Sequence, residues 1–340
     1  MSLSSSTEPL ASRYDVALLD LDGVVYLSGQ AIPGAPDALA AARRAGMRLG
    51  YVTNNASRRP RTVAELLTRL GVPATTDEVV TSAQAACHLL AEQLPAGARV
   101  LVVGAEALAE EVALVGLTPV RTAEGDPAAV VQGYGPEVGW KDLAEAAVAI
   151  RRGARWVATN TDRTVPSPRG PLPGNGALVQ AVRQAVTVDP VVVGKPRPRL
   201  MRESVERTRA ERPLVVGDRL DTDIEGAHAA GLDSLLVLTG VTVPRDLLAA
   251  RPDHRPSYLA ADLHGLLAPH PEVRNGQVGG WSARRHAGTL ELAGAGDDPL
   301  DALRALCAAA WSAGPDAPPP NRVEATGDPA AKALSTLNLA

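Results

Sequence analysis

The chain has 340 residues, which is enough for about two globular domains. Hydrophobic residues make up 45% and charged residues 21% of it, a balance that allows a buried core and excludes collagen, coiled coil and general disorder. The net charge of −4 provides no cationic field for nucleic acid or for an anionic membrane surface. Aromatic residues make up only 3%, without any Phe, so Ala, Val and Leu must build the core.

The sequence further predicts a cytoplasmic protein that does not enter a membrane. The first residues have neither the basic nor the apolar segment of a secretory signal, and no apolar run approaches the length of about 18 residues that a bilayer requires. Cys87 and Cys307 lie far apart and match no metal-ligand spacing. We therefore expect two ordinary reduced thiols.

Strand and helix patterns alternate from the start of the chain. Val16–Leu19 is a short apolar run typical of a buried parallel strand. A helix over 35–45 follows and ends at Gly46. A second strand over 48–52 and a second helix over 62–70 come next. This alternation predicts an α/β sheet with right-handed crossovers.

The same pattern restarts near residue 83, which predicts one α/β unit inserted into another. Further strands are predicted over 99–103, 130–132, 156–159, 191–193, 213–216 and 234–238, with helices between them. We expect residues 14–82 and 191–268 to form a core domain and residues 83–190 to form an inserted domain. Residues 269–340, with a hairpin and two helices, are expected to be a small α+β extension outside the active site.

Two aspartates follow the first predicted strand, in the run Asp20-Leu-Asp22-Gly23. Where a strand ends, side chains two residues apart can face the same crevice at the carboxyl edge of the sheet. Two carboxylates this close repel each other unless a cation lies between them, and oxygen ligands suit Mg²⁺. The pair therefore predicts a magnesium site, although an acidic turn with glycine at positive φ has the same composition.

Polar residues also follow two later strands. Thr53, Asn54 and Asn55 end the second strand and can bind phosphate oxygens together with backbone N–H groups, but such residues are equally typical of a helix N-cap. Lys195 follows the strand over 191–193 and supplies a point charge suited to phosphate. An ordinary exposed lysine is the alternative.

A fourth motif contains Asp218 and Asp223, directly after the strand over 213–216. Asp218 would be a metal ligand, and Asp223 would hold the metal through a water or another ligand; an acidic capping loop is the alternative. All four motifs lie at the ends of different predicted strands. Because the carboxyl ends of parallel strands share one edge of the sheet, the motifs are expected to converge.

Together, these motifs resemble the haloacid dehalogenase superfamily of phosphatases. The matching segments are Asp20-Leu-Asp-Gly-Val-Val-Tyr26, Val52-Thr-Asn-Asn-Ala-Ser57, Gly194-Lys-Pro196 and Gly217-Asp-Arg-Leu-Asp-Thr-Asp223. The long insertion between the second and third motifs looks like the C2-capped branch, with its NagD-like and nitrophenylphosphatase-like proteins. The resemblance implies a Rossmann-like, doubly wound parallel-sheet core with an inserted α/β C2 cap.

The resemblance also implies a role for each motif residue. Asp20 would be the nucleophile that forms an aspartyl-phosphate, and Asp22 would be the general acid and then the general base. Thr53, Asn54, Asn55 and Lys195 would hold the phosphoryl oxygens. Mg²⁺ would be bound by the Asp20 carboxylate, the Asp22 carbonyl oxygen and Asp218. Asp223 would contact the metal indirectly, through a water or another ligand.

Substrate choice is expected to depend on the cap, because the motif residues contact only the phosphoryl group. Asn160, Asp162 and Asn175 are short polar side chains suited to the hydroxyls of a small polyol, unless Asn160 and Asp162 merely cap a turn. No aromatic residue lies between residues 160 and 176 to stack on a base. A small phosphorylated metabolite is therefore expected, with glycerol 3-phosphate first and phosphoglycolate, sugar phosphates or nucleotides as alternatives.

Two other functions stay open on the sequence alone. A dehalogenase would not need the metal-binding aspartates Asp22 and Asp218, which argues against that chemistry. A non-catalytic phosphate-binding regulatory protein would not need all four motifs intact. Association of copies through the cap is also left open.

Overall fold

The computed structural model describes residues 2–165, 167, 169–314 and 317–340. The chain folds into two compact units, each with most of its contacts inside itself. Unit 1 comprises Met1–Leu49 and Ala210–Ala340, and unit 2 comprises Gly50–Arg209. Unit 2 is therefore a single segment inserted into the chain of unit 1.

Most strands are short, and most helices run for about three turns. The strands are β1 (Val16–Leu19), β2 (Tyr26–Leu27), β3 (Gln30–Ala31), β4 (Arg48–Thr53), β5 (Val79–Thr81), β6 (Arg99–Val103), β7 (Thr118–Val120), β8 (Ala129–Gln132), β9 (Arg155–Ala158), β10 (Thr164–Val165), β11 (Leu172–Pro173), β12 (Val191–Val192), β13 (Pro213–Gly217), β14 (Asp233–Val237), β15 (Tyr258–Ala260), β16 (Gln277–Val278), β17 (Trp281–His286), β18 (Thr289–Gly294) and β19 (Arg322–Thr326). The helices are α1 (Leu10–Arg13), α2 (Ala35–Arg44), α3 (Pro60–Arg69), α4 (Ser82–Gln93), α5 (Glu106–Leu114), α6 (Trp140–Arg151), α7 (Asn175–Arg183), α8 (Pro198–Thr208), α9 (Glu225–Ala230), α10 (Pro244–Leu248), α11 (Pro299–Trp311) and α12 (Asp328–Thr336).

Unit 1 contains a parallel arrangement of four strands in the order β15, β14, β13, β1. All four residues of β1 are fully buried, as expected where both faces of a parallel sheet are covered. The continuous apolar sequence of β1 therefore encodes its burial as well as its conformation. The carboxyl ends of these strands lie at one edge, so the residues that follow β1 and β13 are placed side by side.

The C-terminal part of unit 1 adds a second sheet, ordered β16, β17, β18, β19, in which β17 and β18 form an antiparallel hairpin. Helix α11 starts at Pro299 after the Asp298 side chain accepts the Leu300 N–H at 2.8 Å, as an N-cap does. Its buried Arg304 donates to the carbonyl oxygen of Leu259 in β15 at 2.8 Å and pairs with Asp301. The extension is therefore packed into unit 1.

One hydrophobic core joins the parallel strands and the C-terminal sheet of unit 1, and Leu303 of α11 lies in it without exposed surface. We expect Leu303→Ala to lower the free energy of unfolding by about 2–5 kcal/mol, because it removes buried methyl groups and leaves a cavity. Leu114→Ala in α5 is the matched control, since Leu114 is 78% exposed; its effect should stay within about 0.5 kcal/mol. Guanidinium denaturation measures both, and equal effects would contradict this account of the core.

Unit 2 contains a five-stranded parallel sheet in the order β12, β9, β8, β6, β7, and β4 pairs with β5 in parallel. One hydrophobic cluster of unit 2 consists of valine, alanine, leucine and isoleucine side chains together with Trp156. This composition follows from a chain that has few aromatic residues to bury. The antiparallel pair of β10 with β11 joins the two loops that carry the expected cap residues.

The predicted α/β fold with an α+β extension is confirmed, and most element boundaries differ by only a few residues. Helix α6 begins at Trp140, where the Asp142 carboxylate accepts the Gly139 N–H at 2.8 Å and caps the helix start. Strand β19 was not predicted. It is mostly exposed and polar, so only its pairing with β18 makes it a strand.

Both cysteines are free and buried, and burial raises the pKa of each thiol. Neither thiol is therefore poised to act as a nucleophile. Among the helices of the described residues, each is too short or too polar to cross a bilayer.

Candidate active site

Carboxylates follow strands β1 and β13 at one edge of the unit 1 sheet. Asp20 comes directly after β1, and its N–H donates to the carbonyl oxygen of Val216 at 2.9 Å, which extends the pairing of the two strands. Asp218 comes directly after β13, and Asp223 lies in a short π-helical turn, Leu220–Ile224. The ladder therefore brings together residues that are about 200 positions apart in the chain.

Oxygen atoms of Asp20, Asp218 and Asp223 all lie within 4.8 Å of one another. Asp218 and Asp223 are buried, and Asp20 is half-buried. Negative charges this close repel each other, so a cation among them would stabilise the arrangement. Because hard oxygen ligands are those that Mg²⁺ prefers, the side chains present fit a divalent cation of this kind.

Asp22 lies in the tight turn that follows. Gly23 adopts a φ of +86°, and its N–H donates to the carbonyl oxygen of Tyr26 at 2.8 Å. Within the described residues, the close carboxylate group does not include the Asp22 side chain. The turn thus separates Asp22 from that group while keeping it two residues from Asp20, and its half-buried carboxyl can serve proton transfer.

A second acidic group of unit 1 consists of Glu225, Asp253 and His254. A protein cation, the side chain of Arg251, lies against it. The Arg251 guanidinium lies 3.5 Å from the Glu225 carboxylate, 3.2 Å from that of Asp253 and 2.7 Å from the His254 ring nitrogen. Since the arginine offsets the negative charge, this group needs no metal.

In unit 2, the side chain of Asn54 connects the loops that carry the expected phosphate and cap residues. Its Nδ2 donates to the carbonyl oxygen of Lys195 and to the Asp162 carboxylate, each at 3.0 Å. Its Oδ1 accepts the Lys195 N–H at 2.8 Å. Both side-chain N–H groups of Asn54 are thus used within the protein, so this residue orients Lys195 and Asp162.

Lys195 is buried, with only 3% of its surface exposed, and its Nζ donates to the carbonyl oxygen of Val52 at 3.3 Å. A buried ammonium group keeps a fixed position and acts through a lower dielectric than a surface lysine does. The preceding residue, Gly194, leaves space for the neighbouring side chains. A Cβ at that position would lie 2.6 Å from Asn54 Oδ1 and 3.2 Å from Asn160 Cβ. The Lys195 side chain is therefore buried in a fixed position, which excludes the alternative of an ordinary exposed lysine.

Thr53 and Asn55 both make local turn contacts. The Thr53 hydroxyl accepts the Asn55 N–H at 3.1 Å, and Asn55 Oδ1 accepts the N–H and the hydroxyl of Ser57, each at 2.8 Å. The Thr53 hydroxyl also has a proton to donate. The structure thus leaves Thr53 able to bind an oxyanion, whereas the Asn55 carbonyl oxygen shapes the loop.

Asn160 is enclosed in the same network. Its Nδ2 donates to the carbonyl oxygen of Asn54 at 2.7 Å, and its Oδ1 accepts the Asp162 N–H at 3.1 Å. With 3% of its surface exposed, Asn160 supports the loop, while the half-buried Asp162 is the more accessible of the two.

Sequence reasoning missed Gln132, which lies at the end of β8 and is fully buried. Its Oε1 accepts the Trp156 indole N–H at 3.1 Å, which fixes the orientation of the amide because an indole can only donate. Asn175 donates to the carbonyl oxygens of Gln132 and Asn160 at 3.3 and 2.7 Å. Among the described residues, neither Gln132 Nε2 nor Asn175 Oδ1 has a hydrogen-bond partner.

Sequence reasoning also missed the loop over residues 239–242, which follows β14 at the same edge of the unit 1 sheet. The Val241 N–H donates to Asp218 Oδ2 at 2.6 Å. The available indication was Thr239-Gly240 directly after the predicted strand over 234–238, in the same position as the other motifs.

Comparison with protein families gives three matches along the chain. Residues 17–118 match the haloacid dehalogenase-like hydrolase model, and residues 192–266 match a second model for HAD-like hydrolases. Residues 278–339 match a GCN5-related N-acetyltransferase-like domain.

Among characterised relatives, the D-glycerol 3-phosphate phosphatase of Mycobacterium tuberculosis is 50% identical over 312 residues, which cover 89% of this chain and 88% of that protein. The acid sugar phosphatase of Staphylococcus saprophyticus is 35% identical over 257 residues, which cover 75% of this chain and 97% of that protein.

Solved structures give the same picture. The glycerol phosphate phosphatase of M. tuberculosis in complex with magnesium has a TM-score of 0.91 and 49% identity, covering 98% of this chain and 100% of that one. The 4-nitrophenylphosphatase of Thermotoga maritima has a TM-score of 0.71 and 29% identity, covering 76% of this chain and 98% of that one.

Proposed function

The chain belongs to the haloacid dehalogenase-like hydrolases, as its four motifs predicted, and from this premise we propose that it is a Mg²⁺-dependent phosphatase of glycerol 3-phosphate. The reaction would release glycerol and inorganic phosphate. The substrate follows from the 50% identity to a D-glycerol 3-phosphate phosphatase over most of both chains. The reaction class is supported independently by the side chains of the site.

The group of three close carboxylates in unit 1 is the observation that carries this proposal. Asp20 and Asp218 would hold Mg²⁺ together with the carbonyl oxygen of Asp22, and Asp223, whose oxygen lies in the same group, would act through a water or another ligand. When bound there, Mg²⁺ supplies positive charge that offsets the repulsion between an anionic nucleophile and a phosphate dianion. Protein groups perform the remaining chemistry.

In the first step, a carboxylate oxygen of Asp20 attacks phosphorus as the bond between phosphorus and the glycerol oxygen breaks. The leaving alkoxide takes a proton from the Asp22 carboxyl, which becomes a carboxylate. In the second step, that carboxylate takes a proton from water while the water oxygen attacks phosphorus and releases Asp20. Phosphate leaves and both aspartates return to their starting states.

The phosphoryl oxygens would be bound by the Lys195 ammonium and the Thr53 hydroxyl. Preorganised donors of this kind stabilise charge that develops in the transition state. Asn54 would contribute by holding the Lys195 backbone, since its own amide hydrogens are used within the protein. Asn55 and Asn160 would act on the shape of the loops in the same indirect way.

Substrate choice is assigned to the cap, residues 83–190. Asp162 is the candidate for contact with a glycerol hydroxyl, because it is less enclosed than Asn160. A phosphatase of sugar phosphates is the second candidate, supported by the 35% identity to an acid sugar phosphatase. Phosphoglycolate and nucleotides rank below both.

We also infer a cytoplasmic location and self-association through the cap. Within the cap, Trp140 at the start of α6 is 80% exposed, and tryptophan is a residue type enriched at protein–protein interfaces. Size-exclusion chromatography of the wild-type protein and of Trp140→Ala would test the association.

Release of inorganic phosphate tests the proposed function. We expect turnover of glycerol 3-phosphate to exceed that of phosphoglycolate, a hexose phosphate and adenosine monophosphate, to stop with EDTA and to return with added Mg²⁺. A protein that binds phosphate but hydrolyses neither glycerol 3-phosphate nor nitrophenyl phosphate would instead be the non-catalytic alternative. Higher turnover of the hexose phosphate would assign the site to sugar phosphates.

Asp162→Ala should raise KM for glycerol 3-phosphate more than KM for nitrophenyl phosphate, because only the first leaving group carries hydroxyls for Asp162 to bind. The loss of one hydrogen bond to a charged group corresponds to about a tenfold change in KM. Steady-state kinetics on both substrates measures the ratio of the two KM values.

Asn54→Ala is the control for this ratio, since Asp162 also accepts a hydrogen bond from Asn54. That variant keeps the Asp162 carboxylate but disturbs Lys195, so it should raise both KM values and change their ratio less than Asp162→Ala does. If Asp162→Ala leaves the ratio of the two KM values unchanged, Asp162 belongs to the loop structure and does not select the substrate.

A further inference from the structure

The loop over residues 239–242 contacts both of the acidic loops of unit 1. The Thr239 hydroxyl donates to the carbonyl oxygen of Gly23 at 2.6 Å. The Val241 N–H donates to Asp218 Oδ2 at 2.6 Å, and the Thr242 N–H donates to the Asp218 carbonyl oxygen at 3.1 Å. These three bonds connect the end of β14 to the loops that follow β1 and β13.

Close packing accompanies these bonds on two sides of Asp218. A Cβ on Gly240 would overlap Asp218 Oδ2, and a Cβ on Gly23 would lie only 2.7 Å from Asp218 Cγ. Gly23 also has a φ of +86°, a region that favours glycine for its backbone alone. Gly240 does not adopt a positive φ of this kind, so at that position glycine is required for space only.

The chemistry of this enclosure suits a carboxylate that must remain charged. A backbone N–H is neutral, so its short bond to Asp218 Oδ2 fixes the orientation of the carboxylate without cancelling its charge. The backbone at Gly23 packs against one side of the Asp218 carboxylate and the backbone at Gly240 against the other, so the carboxylate has little freedom to rotate. Asp218 is thereby held with its oxygen within 4.8 Å of those of Asp20 and Asp223.

We propose that loop 239–242 positions Asp218 for divalent-cation binding, with Gly240 and Thr239 as its positioning residues. The inference rests on the proposed function, because it presumes that a metal binds at this group of carboxylates. Thr239 acts through Gly23, and Gly240 acts through the space that it leaves for Asp218. Neither residue contacts the reacting phosphate in this proposal.

Gly240→Ala should weaken the binding of Mn²⁺, used as the spectroscopic probe, by about tenfold or more, as changes behind metal ligands commonly do. The physical reason is that the added methyl group displaces the Asp218 carboxylate. Electron paramagnetic resonance of free Mn²⁺ measures the dissociation constant, and displacement of the bound ion by Mg²⁺ measures the affinity for Mg²⁺. Gly139→Ala is the matched control, since a Cβ at that exposed position meets nothing within 4 Å.

Thr239 provides a second, milder test. Thr239→Val keeps the shape but loses the hydroxyl, so it should weaken Mn²⁺ binding by several-fold, whereas Thr239→Ser keeps the hydroxyl and should bind the metal as the wild type does. A merely structural role would give the same order in the melting temperature of the metal-free proteins. We expect those temperatures to differ little between Thr239→Val and Thr239→Ser.

Each outcome separates the two proposals. Wild-type Mn²⁺ affinity in folded Gly240→Ala and in Thr239→Val would overturn the positioning role while leaving the phosphatase proposal intact. If Gly240→Ala does not fold, the comparison of Thr239→Val with Thr239→Ser decides whether the loop positions Asp218. Failure of the wild-type protein itself to bind Mn²⁺ or Mg²⁺ would refute the metal site on which the proposed function depends, and the positioning role with it.

Discussion

Asp20→Asn should reduce the hydrolysis of glycerol 3-phosphate to less than about a hundredth of the wild-type rate, because an amide cannot attack phosphorus as a carboxylate does. The fold should persist, since Asp20 joins the sheet through its backbone N–H, which bonds to Val216 and is unchanged by the substitution. Phosphate release measures the rate, and circular dichroism measures the fold.

Asp221→Asn is the matched control for this variant. Asp221 belongs to the fourth motif, but its carboxylate pairs with Arg219 at the surface, 60% exposed. It should keep wild-type turnover. The wild-type protein with Mg²⁺ and beryllium fluoride should form an adduct at Asp20 that Asp20→Asn does not form. Activity of Asp20→Asn above about a hundredth of wild type would remove Asp20 from the nucleophile role.

Asp22→Asn should slow the turnover of glycerol 3-phosphate by about 10²–10⁴-fold, the usual contribution of general acid–base catalysis. The loss on nitrophenyl phosphate should be smaller in the first step, because a nitrophenolate leaves without a proton. Hydrolysis of the aspartyl-phosphate would remain slow for both substrates, since the base that activates water is missing.

Rapid-mixing kinetics separates the two steps of Asp22→Asn. With nitrophenyl phosphate, we expect a burst of nitrophenolate equal to the enzyme concentration, followed by slow turnover, and a phosphorylated Asp20 detectable by mass spectrometry. With glycerol 3-phosphate the burst should be absent. Equal losses on both substrates without a trapped phosphoenzyme would mean that Asp22 is not the acid and base.

The sequence by itself determined the α/β architecture and the positions of the four motifs. Apolar runs such as Val16–Leu19 encode buried strands locally, and polar residues directly after them mark strand ends. Parallel pairing of β1 with β13 then follows a general rule of such sheets, so the approach of Asp20 to Asp218 was predictable. The aspartates needed no tertiary information to be singled out.

Only the tertiary structure decided what the amide side chains do. Asn54 was predicted to bind phosphate, yet its N–H groups bond to Asp162 and to Lys195, 108 and 141 positions away. No local pattern distinguishes an asparagine that binds a ligand from one that connects loops. The partners are decided by which loops the fold brings together.

The same holds for the surroundings of Asp218. Gly240 could be noticed after a predicted strand, but its lack of a side chain matters only because Asp218 fills that space. The Thr239 hydroxyl reaches a carbonyl oxygen 216 positions away. Strand positions depend on short-range patterns that a sequence displays directly. Packing and hydrogen bonding around the carboxylates depend on long-range contacts, which exist only once the chain is folded.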